Sequence, residues 1–324
     1  MPEQTPPPPP SPIPLPLIID TDPGIDDCLA LWLALTSPEL DVRGISVSYG
    51  NTLVENAHRN VVEIVRRAAG GRRVPIAIGA RRPLKRQLAV ALETHGDSGL
   101  GYADVPRAGV ILDWVKPLDR LLAAQGQPVT LVTLGPVTSL ALALRSDAAL
   151  VRAKVARHIA MIGNLEARGN TTPHSEFNAW CDPEALATVL AAELPTDIVG
   201  LDVTRKIVVT AREVDRLAQA ADPTAQWLHE ALRFYVEFHR AYERLEGAVV
   251  NDVLAIAALL QPDVLTFREL RLAVDLETGD NRGRTRVAPE GVRARVAMEV
   301  RPEPVRHLLF ERVLPWLVGE AATV

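Results

Sequence analysis

Short apolar segments alternate with segments of helical character along most of this chain, and that alternation limits the folds open to it. Strands separated by helices pair in parallel, because each helix returns the chain to the same end of the sheet. We therefore predict an α/β fold: an open, mostly parallel sheet with helices on both faces and a Rossmann-like core. The predicted strands span residues 17–19, 42–49, 74–78, 129–134, 158–162 and 196–201, and the predicted helices residues 28–32, 53–69, 139–144 and 183–192.

The last third of the chain continues with longer elements. One long helix is predicted at 222–244, a second at 251–260 and a closing helix at 305–317, with paired strands at 264–275 and 284–300. No internal repeat or second composition shift divides the chain, so we predict one domain over residues 17–324.

Residues 1–16 contain nine prolines, including an unbroken run over residues 6–10. Proline favours extended polyproline II and lacks the N–H group that a sheet ladder needs. We predict a disordered tail here. The alternative is a ligand for a proline-reading module of a partner protein.

Charge and composition exclude several classes of protein. The chain has 35 Lys and Arg against 40 Asp and Glu, a net charge of −5, so it lacks the basic surplus that follows a nucleic-acid backbone. No apolar run approaches the roughly 18 residues that cross a membrane, and we recognise no secretory leader. Two cysteines cannot form a disulfide framework. We expect a cytoplasmic protein with neither a nucleic-acid nor a membrane partner.

The most informative segment is DTDPGIDD at residues 20–27, where four carboxylates occur without a Lys or Arg. Asp20 and Asp22 share one face of the strand, while Asp26 and Asp27 fall in the first turn of the next helix, where the dipole favours anions. A Pro-Gly turn brings the pairs together. An all-oxygen cluster of this kind suits Ca²⁺ or Mg²⁺. The alternative is helix capping, which requires one acid rather than four.

Two later segments carry further polar groups. Between residues 164 and 182, an acid is flanked by amides and aromatic rings, which could form the lining for a sugar; an equally good interpretation is a polar surface loop. Asn251 and Asp252 open an apolar helix and, taken alone, indicate an N-cap. The members of the first segment are Asn170, His174, Glu176, Phe177, Asn178 and Trp180.

Seven features follow one another along most of the chain: DTDPGIDD (20–27), YGN (49–51), HGDSGLG (95–101), TLGPVTSLA (133–141), the strand end that contains Met161, GN…EFNAWCDPEA (169–185) and ND..A (251–255). In this order they resemble the inosine-uridine nucleoside hydrolase family, calcium-binding nucleoside N-ribohydrolases. The eight-residue opening and EFN are the specific part of the resemblance. It implies calcium-dependent hydrolysis of the N-glycosidic bond of ribonucleosides, with direct attack by water, and a homodimer or homotetramer.

The resemblance also implies roles for individual residues. Asp22, in addition to its place among the metal ligands, would take a proton from a calcium-bound water, and Asp20 would support the cluster. The implied Ca²⁺ ligands are Asp22, Asp27, Asp252 and the backbone carbonyl of Leu134. The implied contacts to the nucleoside are Asp26, Asn51, Met161, Asn170, Glu176, Phe177 and Asn178.

Asn251 departs from the family pattern, which has His or Trp at this place. An amide can donate a hydrogen bond but cannot deliver a proton at neutral pH. Activation of the leaving base would then fall to other groups, and His95, His239 and Tyr242 are the candidates.

Two other functions fit parts of the same pattern. One is a sugar-binding pseudoenzyme of the same fold, which would bind ribose and calcium without cutting the bond. The other is a haloacid dehalogenase-type phosphatase, with Asp20 as the nucleophile, Asp22 as the acid/base and Mg²⁺ as the metal. That chemistry also requires a downstream Lys and a phosphate-binding Ser or Thr, which do not stand out.

Overall fold

The structure is a computed structural model that describes residues 13–106 and 118–320. Nine strands of the described residues form one sheet in the order β10-β9-β11-β6-β5-β4-β1-β2-β3, and β7 pairs with β8 in a separate antiparallel ribbon. The strands are β1 (Leu15–Thr21), β2 (Leu40–Val47), β3 (Ile76–Ile78), β4 (Val129–Thr133), β5 (Val155–Ala160), β6 (Thr196–Ile198), β7 (Val208–Thr210), β8 (Gly247–Val249), β9 (Leu265–Val274), β10 (Thr285–Val287) and β11 (Val292–Val300).

Helices connect most of these strands. Those within the described ranges are α1 (Ile25–Thr36), α2 (Val54–Ala68), α3 (Leu92–His95), α4 (Leu118–Ala123), α5 (Thr138–Lys154), α6 (Phe177–Cys181), α7 (Pro183–Ala191), α8 (Leu201–Thr204), α9 (Ala211–Leu217), α10 (Pro223–Phe238), α11 (Val253–Leu260) and α12 (Pro302–Arg312).

The sheet is mostly parallel, as predicted. The strands from β3 to β6 pair in parallel throughout, β11 joins β6 in parallel, and β9 runs against both of its neighbours. After β1 the chain adds strands on one side, and it then crosses to β4 on the other. The strand order therefore reverses between β1 and β4, and in open α/β sheets ligands bind at the carboxyl ends of the strands at such a point.

Side chains of β1 pack into cores on both faces of the sheet, because successive residues of a strand point to opposite sides. Leu17 and Ile19 lie in the core beneath α1, α2 and α11, whereas Ile18 lies in the core beneath α5 and α7. All three are 0% exposed. With helices on both faces, a central strand has no solvated side, which explains its continuous apolar sequence. The predicted fold class is confirmed.

Several element boundaries differ from those predicted. β1 begins at Leu15, and Pro16 pairs with Asp41, so the strand starts within the segment predicted as a tail; residues 1–12 of that segment lie outside the described residues. Residues 222–244 are not one regular helix, since α10 ends at Phe238 and a π-helical turn follows over His239–Glu243.

Two further boundaries were predicted wrongly near the C-terminus, both at prolines. The predicted strand 284–300 divides into β10 and β11 around Pro289 and Gly291. The predicted closing helix ends as α12 at Arg312, and a 3₁₀ turn follows from Pro315. Proline lacks the N–H group that would continue the α-helical bonding. No helix in the described ranges is both long and apolar enough to cross a membrane.

His158 in β5 gives the fold a testable dependence on pH. Its ring is 0% exposed, with Nε2 3.0 Å from Thr133 Oγ1 and Nδ1 3.2 Å from Thr196 Oγ1. Burial lowers the pKa of His158 from 6.5 to about 3. Below pH 6.5 the unfolded chain therefore takes up a proton that the native imidazole refuses, and stability is lost as the pH falls.

We expect His158→Gln to be less stable than the wild type at pH 7.5. That deficit should shrink by about 2 kcal/mol at pH 5, because the variant lacks the proton uptake of the unfolded histidine. Urea unfolding at both pH values measures the difference, with the exposed His307→Gln as the control. A deficit that does not change with pH would contradict the buried neutral imidazole.

Candidate active site

The turn between β1 and α1 brings four carboxylates to the sheet's switch point. Asp20, Asp22 and Asp27 are 0% exposed, and Asp26 is 4% exposed. β1 pairs with both β2 and β4, and the Leu134 N–H donates to the Asp20 carbonyl (2.9 Å), so the turn is fixed from both sides. The structure brings Asp22 close enough to Asp26 and Asp27 for their charges to raise its pKa, whereas the side chain of Asp20 lies near the hydroxyls of Ser46 and Ser139.

Asp27 accepts three hydrogen bonds that tie the turn together. Thr21 Oγ1 lies 2.5 Å from Oδ1, while the Gly24 N–H (2.9 Å) and Asn51 Nδ2 (2.7 Å) both donate to Oδ2. These contacts join the end of β1, the start of α1 and the loop after β2. The position of Asp27 therefore depends on all three segments.

Asp22 lies in a cradle formed by two glycines. Its Oδ2 accepts the Asn51 N–H at 2.7 Å, and its Oδ1 has no hydrogen-bond partner in the described part of the chain. A Cβ atom on Gly50 would lie 1.9 Å from Oδ2, and one on Gly135 would lie 2.2 Å from Oδ1. Both glycines are thus required by the Asp22 carboxylate, which keeps one oxygen unpaired.

The carboxylates repel one another strongly. Carboxylate oxygens of Asp26, Asp27 and Asp252 lie within 4.8 Å of one another. Burial first, and then the neighbouring Asp27, raise the pKa of Asp22 and Asp252 well above the usual range and that of Asp26 to about 7. A cation would relieve this repulsion.

This set of donors fits a hard divalent cation. The cluster is buried and offers only oxygen ligands. The charges of Asp27 and Asp26 act on Asp22, whose Oδ1 has no hydrogen-bond partner in the described residues. The three acids whose oxygens lie within 4.8 Å of one another are Asp26, Asp27 and Asp252. Asp27 and Asp252 are predicted ligands, whereas the family resemblance implies a sugar contact for Asp26. The division of these acids between metal and sugar stays a prediction.

Asp20 lies near the hydroxyls of Ser46 and Ser139 and is not a member of the group formed by Asp26, Asp27 and Asp252. Burial raises the pKa of Asp20 to about 7, and the hydroxyls of Ser46 and Ser139 offset part of that rise. The support of the cluster by Asp20 stays a prediction.

Asn178 connects the ends of two central strands. Its Nδ2 donates to the carbonyl of Leu134 (2.7 Å) after β4 and to the carbonyl of Met161 (3.0 Å) after β5. Both N–H groups of the amide are used in this way, so its oxygen is the atom left for a ligand. The Leu134 carbonyl retains a second lone pair for the predicted metal contact.

Glu176 caps α6 with both of its carboxylate oxygens. Oε1 accepts the Asn178 N–H (2.6 Å), and Oε2 accepts those of Gly163 (2.9 Å) and Ala179 (3.0 Å). Burial raises the pKa of Glu176, and these three N–H groups oppose the rise. The nearby exposed Asn170 accepts the Phe177 N–H through Oδ1 at 2.8 Å. The segment is thus more than the polar surface loop considered as its alternative.

Asn251 is held between two side chains. Thr204 Oγ1 donates to its Oδ1 at 2.8 Å, and its Nδ2 lies 3.5 Å from Asp26 Oδ2. The amide thus borders the acidic cluster, and its donor group faces a carboxylate.

The three candidate groups for the leaving base differ in position. His95 is buried, its Nδ1 accepts the Ile25 N–H at 3.1 Å, and burial lowers its pKa to about 3. His239 is also buried, its Nδ1 donates to the Tyr235 carbonyl at 2.8 Å, and burial lowers its pKa. Each ring therefore has only Nε2 available for another contact. Tyr242 is 71% exposed, and its ring stacks on Phe238.

Sequence reasoning missed two residues beside this site. Tyr235 lies between the two histidines, with ring centroids 5.3 Å from His95 and 4.4 Å from His239. Burial and then the charge of Asp26 raise the pKa of its phenol. Its spacing of four residues before His239 places both on one helix face, a signal present in the sequence. Thr204 carried no such signal.

Fold and site together define an α/β enzyme with a buried, oxygen-lined acidic centre. A family model described as inosine-uridine preferring nucleoside hydrolase matches residues 17–307. The chain belongs to this family and is a nucleoside hydrolase, an N-glycosidase, as its motifs predicted. The phosphatase alternative is set aside.

Individual relatives agree with this assignment. The chain is 38% identical over 272 residues to the pyrimidine-specific ribonucleoside hydrolase RihA of Salmonella agona, which covers 83% of this chain and 86% of the relative. Among solved structures, a plant nucleoside hydrolase (PpNRh1) superposes with a TM-score of 0.83 at 29% identity, over 93% of this chain and 99% of that one. A purine-preferring ribonucleoside hydrolase from Gardnerella vaginalis gives 0.82 at 26% identity, over 93% and 99%.

We expect Gly135→Ala to displace the Asp22 carboxylate, because the new Cβ would lie 2.2 Å from Oδ1. A shift of about 1 Å at a reacting group costs about 100-fold in rate, so kcat/KM for nucleoside hydrolysis should fall by that factor. Gly126→Ala is the matched control, since nothing lies within 4 Å of its added Cβ. Wild-type kinetics in Gly135→Ala would contradict the cradle.

Proposed function

We propose that this chain hydrolyses the N-glycosidic bond of ribonucleosides in a calcium-dependent reaction, giving ribose and the free base by direct attack of water. The observation that carries the proposal is the buried all-oxygen cluster of Asp26, Asp27 and Asp252 beside an unpaired oxygen of Asp22. Such a group of like charges is costly without a cation, and the oxygen donors favour calcium or magnesium over zinc. The choice of calcium over magnesium rests on the resemblance of the motifs to this family.

Asp22 is the proposed general base. One of its oxygens is fixed by the Asn51 N–H, and the other is free of protein contacts in the described residues. When bound to Asp22, Asp27, Asp252 and the Leu134 carbonyl, calcium would polarise the attacking water and orient the sugar. Asp22 would then take the water's proton, and attack from this side would invert the anomeric carbon.

The ribose would lie against Asp26 and the amides around it. Cleavage passes through an oxocarbenium-like state, and anionic or oxygen-bearing groups stabilise its positive charge. Glu176 is fixed by three backbone N–H groups, and Asn178 presents its oxygen after using both N–H groups on carbonyls. Such preorganised groups need little rearrangement during the reaction. The proposed nucleoside contacts are Asp26, Asn51, Met161, Asn170, Glu176, Phe177 and Asn178.

His95, His239 and Tyr242 stay the proposed candidates for activating the leaving base. Asn251, which contacts Thr204 and Asp26, offers an N–H group rather than an acid. The curated relatives are named pyrimidine-specific, whereas the G. vaginalis structural relative is named purine-preferring. Both classes of nucleoside are therefore substrates to test.

A homodimer or homotetramer and a cytoplasmic location also stay predictions. Light scattering during size-exclusion chromatography would measure the mass of the assembly. A monomeric mass at micromolar concentration would contradict the predicted assembly.

We expect release of reducing sugar from at least one of inosine, adenosine, uridine and cytidine, and loss of that activity in chelator. Asp22→Asn should lower kcat at least about 1,000-fold with an unchanged circular dichroism spectrum, since it removes the general base. Ribose binding without turnover on any substrate would instead indicate the pseudoenzyme. Wild-type rates in Asp22→Asn would contradict the base assignment.

Calcium should also change the stability of the protein in a pH-dependent way. In chelator, Asp26 with a pKa raised from 3.8 to about 7 keeps protons that the unfolded chain has released, so stability falls as the pH rises through this window. At pH 7.5, calcium at a hundredfold excess over its Kd should add about 3 kcal/mol, and at pH 5 less, because protons compete with the ion.

Thermal unfolding of wild type and Asp252→Asn, with calcium or with chelator, tests this expectation. The variant lacks one predicted ligand and should show a much smaller shift of Tm at pH 7.5. Equal Tm values for the wild type in calcium and in chelator would contradict a calcium site.

A further inference from the structure

The short helix α8 contacts two parts of the site, the loop that leads to Glu176 and the side chain of Asn251. It has no role in the proposed chemistry. It is tied to the loop after β5 by four backbone N–H donors. The Leu201 N–H donates to the Gly163 carbonyl (3.0 Å), and the Asp202 carboxylate accepts those of Leu165 (2.8 Å), Glu166 (2.7 Å) and Ala167 (2.9 Å). The helix is thus fixed to the loop that leads to Glu176.

Thr204, the last residue of α8, contacts the side chain of Asn251. It is 0% exposed, and its hydroxyl donates to Asn251 Oδ1 at 2.8 Å. Asn251 Nδ2 in turn lies 3.5 Å from Asp26 Oδ2. A carboxylate only accepts hydrogen bonds, so the contact with Asp26 requires the amide nitrogen on that side and its oxygen on the other. The Thr204 hydroxyl is the donor that satisfies this oxygen.

We propose that Thr204 is a positioning residue for nucleoside hydrolysis: its hydroxyl holds the Asn251 amide with Nδ2 toward Asp26. The inference rests on the proposed function, in which Asp26 contacts the ribose. Without the hydroxyl, Oδ1 of Asn251 loses its partner and the amide is free to rotate. Asp26 then loses its side-chain contact with Asn251 Nδ2. Asp202 in α8 binds the loop that leads to Glu176, so the Thr204 contact also links Asn251 to that loop.

The test compares Thr204→Val, which keeps the shape of the side chain, with Thr204→Ser, which keeps the hydroxyl. Each is made in the wild type and in Asn251→Ala. We expect Thr204→Val to lower kcat/KM about tenfold, the effect of one lost hydrogen bond, and Thr204→Ser to stay near wild type. In Asn251→Ala, Thr204→Val should change kcat/KM less than twofold, because its target is absent.

Calorimetric titration with ribose gives a readout besides activity, and Thr204→Val should weaken binding severalfold. Thr188→Val is the matched control, since it removes a threonine hydroxyl bonded to the Glu184 carbonyl within α7. Equal losses from Thr204→Val in both backgrounds would show a packing role and overturn the inference, as would wild-type kinetics in Thr204→Val. An inactive wild-type enzyme would instead overturn the proposed function, and this inference with it.

Discussion

The repulsion among buried carboxylates at the end of β1 is the constraint on which the rest of the structure depends. Asp22 and Asp27 are fully buried, Asp26 and Asp252 nearly so, and burial raises the pKa of Asp22, Asp26 and Asp252. Unpaired charges are expensive in such surroundings. The strands beside β1 and the helices α1 and α11 hold the acids in place despite this repulsion. A bound cation would offset this repulsion and stabilise the same arrangement.

The acidic residues differ in the number of hydrogen bonds that they accept. Asp27 is held by three donors, Glu176 by three backbone N–H groups, and Asp22 by one, which leaves Oδ1 of Asp22 without a partner among the described residues. These differences in hydrogen bonding support the different roles proposed for Asp22, Asp27 and Glu176.

Much of this could be predicted from the sequence because it depends on local periodicity. The alternation of apolar strands and helices predicted the parallel sheet, and the DTDPGIDD segment predicted that Asp22 lies close to Asp26 and Asp27. Contacts between distant segments could not be predicted in this way. The Asn178 contact to the Leu134 carbonyl and the Thr204 contact to Asn251 span 44 and 47 residues. The start of β1 at Leu15 was missed because proline was taken to exclude pairing.

Diffraction from crystals grown with calcium and ribose tests the central claim most directly. The account predicts one anomalous peak at the end of β1, about 2.3–2.6 Å from oxygens of Asp22, Asp27 and Asp252, with ribose hydroxyls beside it. No peak at millimolar calcium, with ordered carboxylates in their present positions, would contradict it.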